Sequence, residues 1–360
     1  MVVKLPFYVK VVVILLGLFL VFYILSSAQQ VFVLLGISMM LSMLLLPINY
    51  RLERLKVPRI VAILISLFFV TLLMFALGFF FYNQIIKFID DMGLIEQRLL
   101  ELIDKISEFM QKNYGVNKAK NTAWLKEHIV SAVRKSSSLF EGLLGFMTSI
   151  VALLGLLPIF TFFMLYYRDF FKEFLLKLFH SDKHNSVILV LDKIEIILQN
   201  YLVGVLIVTS IVTTLNIIGL LLIDIKYAVF FGITAGLLAI IPYVGVYLGC
   251  SLPVIYTYIT EGSLFKALLV TALMFVIQFT EGHFITPNIV GSKVSLNPFA
   301  AIIALIVGGH LWGPVGMILF IPLTAVLKVI CDAIEPLKPY GFLLGNPAKE
   351  KPKTIKKSEV

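Results

Sequence analysis

Two stretches of 34 residues, Tyr227–Thr260 and Val294–Leu327, contain no Asp, Glu, Lys or Arg. A straight helix of that length would run about 51 Å, whereas the hydrocarbon core of a bilayer is about 30 Å thick. Neither stretch is therefore one simple span. The first has Ile241-Pro242-Tyr243-Val244-Gly245 at its middle, and the second has Gly308-Gly309-His310-Leu311-Trp312-Gly313-Pro314-Val315-Gly316. Proline removes a backbone donor and crowds the preceding turn, and glycine admits backbone angles other residues avoid. Each stretch reads as two half-helices joined by a turn, either a re-entrant hairpin or a pair of short spans. Pro242, Gly245, Gly309, Gly313 and Pro314 are the candidate hairpin or gate residues.

The rest of the chain has the same solvent. Of its 360 residues 60% are hydrophobic and 14% charged, where soluble domains carry about a quarter charged. Uncharged runs at Val11–Ala28, Val31–Ile48, Ile60–Tyr82, Gly142–Tyr167 and Gln199–Ile223 are each long enough to cross. Lys266–Ile289 adds a sixth span. Backbone in lipid must bond to itself, so the spans are helices. The expected fold is an all-α polytopic membrane protein with about six full transmembrane helices plus two broken or re-entrant hairpins, at 227–260 and 294–327.

Charge orients the chain. Arg51, Arg54, Lys56 and Arg59 crowd one loop, which places it, and both termini, in the cytoplasm by the positive-inside rule. The formal charge of +9 is scattered through such gaps and the Lys349–Lys357 tail, forming no nucleic-acid-binding face. Residues 1–82 then hold spans one to three, and 83–141 an extracytoplasmic amphipathic region. Span four and a cytoplasmic interfacial linker occupy 142–198, the core 199–335, and a basic cytoplasmic tail 336–360. Arg168-Asp169 reads as an interfacial ion pair ending span four.

In the amphipathic region Phe88, Met92, Ile95, Leu99, Leu102, Ile103, Ile106 and Phe109 recur at helical spacing. Their stripe can pack on its own bundle, on the bilayer surface, or on another copy in a homo-oligomer. Cys250 and Cys331 lie in apolar segments and have no metal-site spacing.

On this topology span five with the first broken segment is related by inversion to span six with the second. Discontinuous helices in inverted pairs are the sequence pointer to a transporter site at membrane depth. No Gly-x-x-x-x-Gly-Lys-Ser/Thr loop, His-Glu-x-x-His or Gly-x-Ser-x-Gly motif is present, which argues against ATP-driven pumping and intramembrane hydrolysis. A non-transporting membrane scaffold is the other class to set beside transport.

An ionisable residue inside a span is expensive and by default functional. Glu281 is the leading candidate, with Gln278 one turn before it on the same face. Thr286, Asn288 and the carbonyls freed near Pro287 offer oxygens for Na⁺ or a path for H⁺, and His283 and His310 are candidate proton relays. These residues make up the expected substrate or ion site, with no cofactor beyond a coupling Na⁺ or H⁺.

Tyr167-Arg168-Asp169, Ile241-Pro242-Tyr243-Val244-Gly245, Thr286-Pro287-Asn288-Ile289-Val290-Gly291, Leu296-Asn297-Pro298 and the run from Gly308-Gly309 to Ile321-Pro322-Leu323 together resemble the autoinducer-2 exporter (AI-2E) family, the PerM-like permeases. The resemblance covers most of the chain. It departs at His283, where the family more often has asparagine or another polar residue, and at Val246, often proline in relatives. It implies a permease of the inner or plasma membrane that does not hydrolyse ATP. Some relatives are associated with autoinducer-2 export and others with sodium/proton antiport.

Overall fold

The computed structural model describes residues 6–114, 127, 128, 131, 155–242, 244–291 and 296–346. The described residues are almost entirely helical: α1 (Phe7–Ser27), α2 (Gln29–Arg54), α3 (Arg59–Asp90), α4 (Met92–Tyr114), α5 (Gly155–Tyr166), α6 (Arg168–Lys177), α7 (His184–Leu222), α8 (Ala228–Leu238), α9 (Val244–Glu261), α10 (Leu264–Thr280), α11 (Pro298–Ala333) and α12 (Lys338–Leu344). Six helical stretches are long and apolar enough to cross a membrane. They start from α1, α2, α3, α7, α10 and α11, the last of which qualifies by overall length and composition but is interrupted at Trp312 and Gly313, and the protein is an all-α multi-pass membrane protein. The first part of span four, the remainder of the 83–141 region, Tyr243, Lys293 and the Lys349–Lys357 tail lie outside the described residues.

Both expected breaks are hairpins. α8 has 11 residues, about 16 Å of helix, too short to cross. After a turn through Pro242 the chain returns antiparallel as α9. The close approaches require glycine: a Cβ on Gly245 would lie 1.6 Å from the Leu238 carbonyl oxygen, and one on Gly249 would lie 2.9 Å from the Ala235 Cα. In α11 the helix is interrupted at Trp312 and Gly313, whose φ of 61° and ψ of −147° lie in a glycine-only region. The chain folds back there, so that a Cβ on Gly308 would meet the Gly316 carbonyl oxygen at 2.4 Å. Trp312 anchors the tip, donating from Nε1 to the Leu25 carbonyl at 3.0 Å and packing edge-on against Phe320. Asn297 explains the Leu296-Asn297-Pro298 motif: its Oδ1 caps α11 at the Ala300 N–H, and its Nδ2 binds the Leu343 and Gly345 carbonyls at the end of α12.

The chain forms two compact units. One comprises the described parts of Met1–Ser66, Leu157–Val205 and Pro287–Val360, and includes the α11 hairpin. Its core joins Val33 and Met40 of α2 to Leu311, Trp312 and Leu319, with a second cluster around Ile194, Leu198 and Val329. The other comprises Leu67–Leu156 and Leu206–Thr286, and includes the α8–α9 hairpin. Its core gathers Ile95, Leu220, Ile225, Phe231, Tyr256, Val270 and Met274.

Three expectations are corrected. Arg168 and Asp169 do not pair with each other, because adjacent helical residues point apart. Arg168 reaches Glu53 at 2.6 Å and Asp169 reaches Arg59 at 2.6 Å, tying the start of α6 to the end of α2 and the start of α3. Span five is not separate from the linker before it, since α7 runs 39 residues without a break. The amphipathic stripe is not one helix: α3 carries Phe88 as far as Asp90, and α4 begins after Asp91. Phe88, Ile95 and Leu99 pack into the core of their own unit.

The break at Asp91 is held by charge. Lys226 Nζ and the Tyr227 hydroxyl donate to Asp91 Oδ2 at 2.6 and 2.8 Å, joining the α3–α4 turn to the α7–α8 turn. Burial alone would raise the Asp91 pKa, but these two hydrogen bonds and the Lys226 charge outweigh it and hold the carboxyl below its ordinary value. Such a group stabilises the fold fully above the unfolded carboxylate range near about 3.9, and the contribution is lost as pH falls through the lower folded value. Lys226 is 58% exposed, which limits the pair to about 1 kcal/mol. Asp91→Asn is therefore expected to lower the melting temperature in detergent at pH 7, with the gap from wild type closing as the pH is taken below about 4.

Candidate functional site

α10 is α-helical up to Thr280, and then the chain makes a π-turn over Glu281–Ile285 and another over Pro287–Gly291. Pro287 has no N–H to give the His283 carbonyl in α-helical register. The wider turn places the Thr286 N–H on the Glu281 carbonyl, five residues back. In an α-helix the residue stacked above Glu281 would be Ile285, four on. The π-turn brings round Thr286 instead.

The side chains follow. Gln278 Nε2 donates to Glu281 Oε2 at 2.7 Å from the α-helical turn below, and Thr286 Oγ1 donates to Glu281 Oε1 from the π-turn above. All three side chains are half-buried. Each carboxylate oxygen thus receives one donor. π-turns inside α-helices recur at functional sites.

The other candidates are distributed differently. His283 is exposed, its Nδ1 lies 3.0 Å from the Phe279 carbonyl oxygen, and its ring stacks on Phe279 at 4.3 Å. It is outside the carboxylate cluster. Asn288 and His310 are exposed and belong to the other compact unit. Asn288 sits on the second π-turn, and His310 two residues before the α11 interruption. Pro242 and Gly245 form the tip of the first hairpin, and Gly309, Gly313 and Pro314 that of the second. No group of three metal-ligating acidic, His or Cys side chains occurs among the described residues.

Next to the first hairpin, α7 supplies a contact that spacing alone does not reveal. Gly232 and Gly236 of α8 press on Ile217 and Thr213 of α7, so closely that a Cβ on Gly236 would lie 1.9 Å from the Thr213 hydroxyl oxygen. The signal available in the sequence is the pair of glycines four apart in a short apolar helix.

A polytopic helical protein with two glycine-built hairpins and a carboxylate at a π-turn has the parts of a permease. The model of a family described as AI-2E family transporter matches residues 12–335. The chain belongs to the AI-2E transporter family. Among its relatives is YrrI of Bacillus subtilis, named as a candidate transport protein, 27% identical over 84% of this chain and 86% of its own length. YueF of the same organism, named in the same way, is 26% identical over 78% of each chain. The AI-2 transport protein TqsA of Escherichia coli is 32% identical over 35% of this chain and 37% of its own. AI-2E membership and these relatives make this a membrane transporter.

Proposed function

We propose that this AI-2E protein is a cation-coupled secondary transporter in which Glu281 is the coupling carboxylate, exchanging Na⁺ for H⁺ or using that exchange to export a small polar solute. The observation that supports this reading is the Gln278–Glu281–Thr286 cluster at a π-helical break in an otherwise apolar span. A carboxylate with one donor on each oxygen can trade those donors for a proton or for Na⁺, which takes oxygen ligands from carboxylate, amide and hydroxyl groups alike. The relative named for AI-2 transport makes autoinducer-2 the first organic solute to try. On this reading the Arg51–Arg59 loop and both termini face the cytoplasm.

The test is a proteoliposome assay. A proton gradient is imposed and its dissipation followed as Na⁺ is added, for wild type and for Glu281→Gln. Na⁺-dependent dissipation by wild type that the variant lacks is the expected result. If both are silent towards Na⁺ and neither effluxes autoinducer-2 under the same gradient, the coupling role of Glu281 is wrong.

A further inference from the structure

In the unit that holds α2, α5 and α6, two arginine–carboxylate pairs stand side by side and differ in one respect. Arg168 and Glu53 are 15% and 23% exposed, and the Arg168 guanidinium lies over the Tyr50 ring at 4.5 Å. That pair is closed and works as a strut between α2 and α6. Its neighbour is open: Asp169 Oδ2 accepts from Arg59 Nη1 while Asp169 remains 72% exposed. Beside it is a pocket of about 510 Å³ lined by Arg59, Ile60, Tyr166, Tyr167, Asp169 and Phe170.

The level of this pocket in the membrane follows from its walls. It sits where α3 begins and α5 ends. α6, which leaves from it, buries none of its residues and exposes Phe170, Phe171 and Phe174. A short amphipathic helix of this kind lies in the interface plane, and tyrosines gather at headgroup depth. The donors are partly uncommitted. Arg59 uses Nη1 on Asp169 and Nη2 on the Leu165 carbonyl, and its Nε is buried, so the uncommitted donors are the second N–H of each Nη. The pocket therefore offers fixed N–H donors, a solvent-facing carboxylate, aromatic faces and an apolar wall at Ile60, with no net charge from its two ionised groups. An anionic headgroup would compete with Asp169 for Arg59 and bring nothing to neutralise the carboxylate. A zwitterionic one matches both charges.

We propose that this pocket binds the headgroup of an ammonium-bearing zwitterionic phospholipid, the phosphate accepting from Arg59 and the ammonium donating to Asp169 beside the tyrosine rings. Phosphatidylethanolamine has the required chemistry: a phosphodiester for the planar guanidinium, and a primary ammonium that can both hydrogen-bond a carboxylate and lie over an aromatic face. The volume is in the range of small-molecule sites, leaving room for the glycerol while the acyl chains run along Ile60.

Native mass spectrometry of the full chain in detergent, offered equal amounts of phosphatidylethanolamine, phosphatidylglycerol and phosphatidylcholine, tests this. Wild type is expected to retain phosphatidylethanolamine roughly tenfold over phosphatidylglycerol, the scale of one charge-assisted hydrogen bond. Asp169→Asn keeps an acceptor for Arg59 but loses the charge, and should abolish that preference; Asp169→Glu should restore it. Asp192→Asn, in the exposed Lys172–Asp192 pair, should leave it unchanged, and melting curves show that each variant is folded. Equal retention of the three lipids by wild type, or an unaltered preference in Asp169→Asn, overturns the proposal. So does displacement by soluble phosphoethanolamine as effective as that by a short-chain phosphatidylethanolamine, because the site would then be one for a solute.

Discussion

Glu281→Gln is expected to reduce Na⁺-dependent proton movement to the level of empty liposomes, with a melting temperature close to wild type. The glutamine fills the same volume and can still accept from Gln278 or Thr286 through its own oxygen, so the helix loses little. It cannot take up or release a proton in the working pH range, so exchange stops if Glu281 has the proposed coupling role. The neighbours should give graded effects. Thr286→Val removes one donor to the carboxylate while keeping the shape, and a hydrogen bond to a charged group is worth about 1.5–3 kcal/mol, or roughly a ten- to hundredfold loss in apparent Na⁺ affinity or rate. Gln278→Leu removes the other donor and should fall in the same range. His283→Asn should transport nearly as wild type, because His283 stacks on Phe279 and contributes nothing to the carboxylate cluster. A His283 variant as inactive as Glu281→Gln, with Thr286→Val fully active, would move the site away from the π-turn.

That series also separates what the sequence carries from what it does not. Gln278 and Glu281 are one helical turn apart, and a period of 3.6 is enough to put them on one face. Thr286 is five residues beyond Glu281, a spacing that in an α-helix means different faces. Only the change to π geometry before Pro287 makes them neighbours, and nothing in composition announces the wider turn. The breaks were legible because length and membrane thickness conflict: 34 uncharged residues exceed one span, and Pro and Gly mark where the helix is broken; whether each break makes a re-entrant hairpin or a pair of short spans was not. The ion pairs were not legible. Arg168 and Asp169 are adjacent in the chain, but their partners, Glu53 and Arg59, are more than a hundred residues away. Likewise the stripe around Phe88 and Leu99 is periodic across Asp91, and only the distant Lys226 and Tyr227 explain why the helix stops there.

Gly245→Ala is expected to destabilise the protein more than any other single-methyl addition among the α8–α9 residues. The added carbon would stand 1.6 Å from the Leu238 carbonyl oxygen, a backbone atom at the hairpin turn that cannot rotate away. The arms must separate at their tip. Overpacking of this kind costs about 1–3 kcal/mol when side chains can yield, and more when backbone must move. Separation would also loosen Gly249 from Ala235 and, further along, Tyr256 from Phe231, whose rings meet at a tilt of 51° with centroids 5.2 Å apart in the core of the unit. Gly316→Ala should do the same to the second hairpin, its Cβ falling 1.9 Å from the Gly308 carbonyl oxygen. Gly78→Ala is the control, since it lies in α3 with nothing within 4 Å of the new carbon, and helix propensity alone predicts a gain of about 0.5–1 kcal/mol. Thermal unfolding in detergent followed by size-exclusion recovery reads all three. A Gly245→Ala protein that melts with wild type would mean that α8 and α9 do not pack as a hairpin, and that the segment crosses as two separate spans.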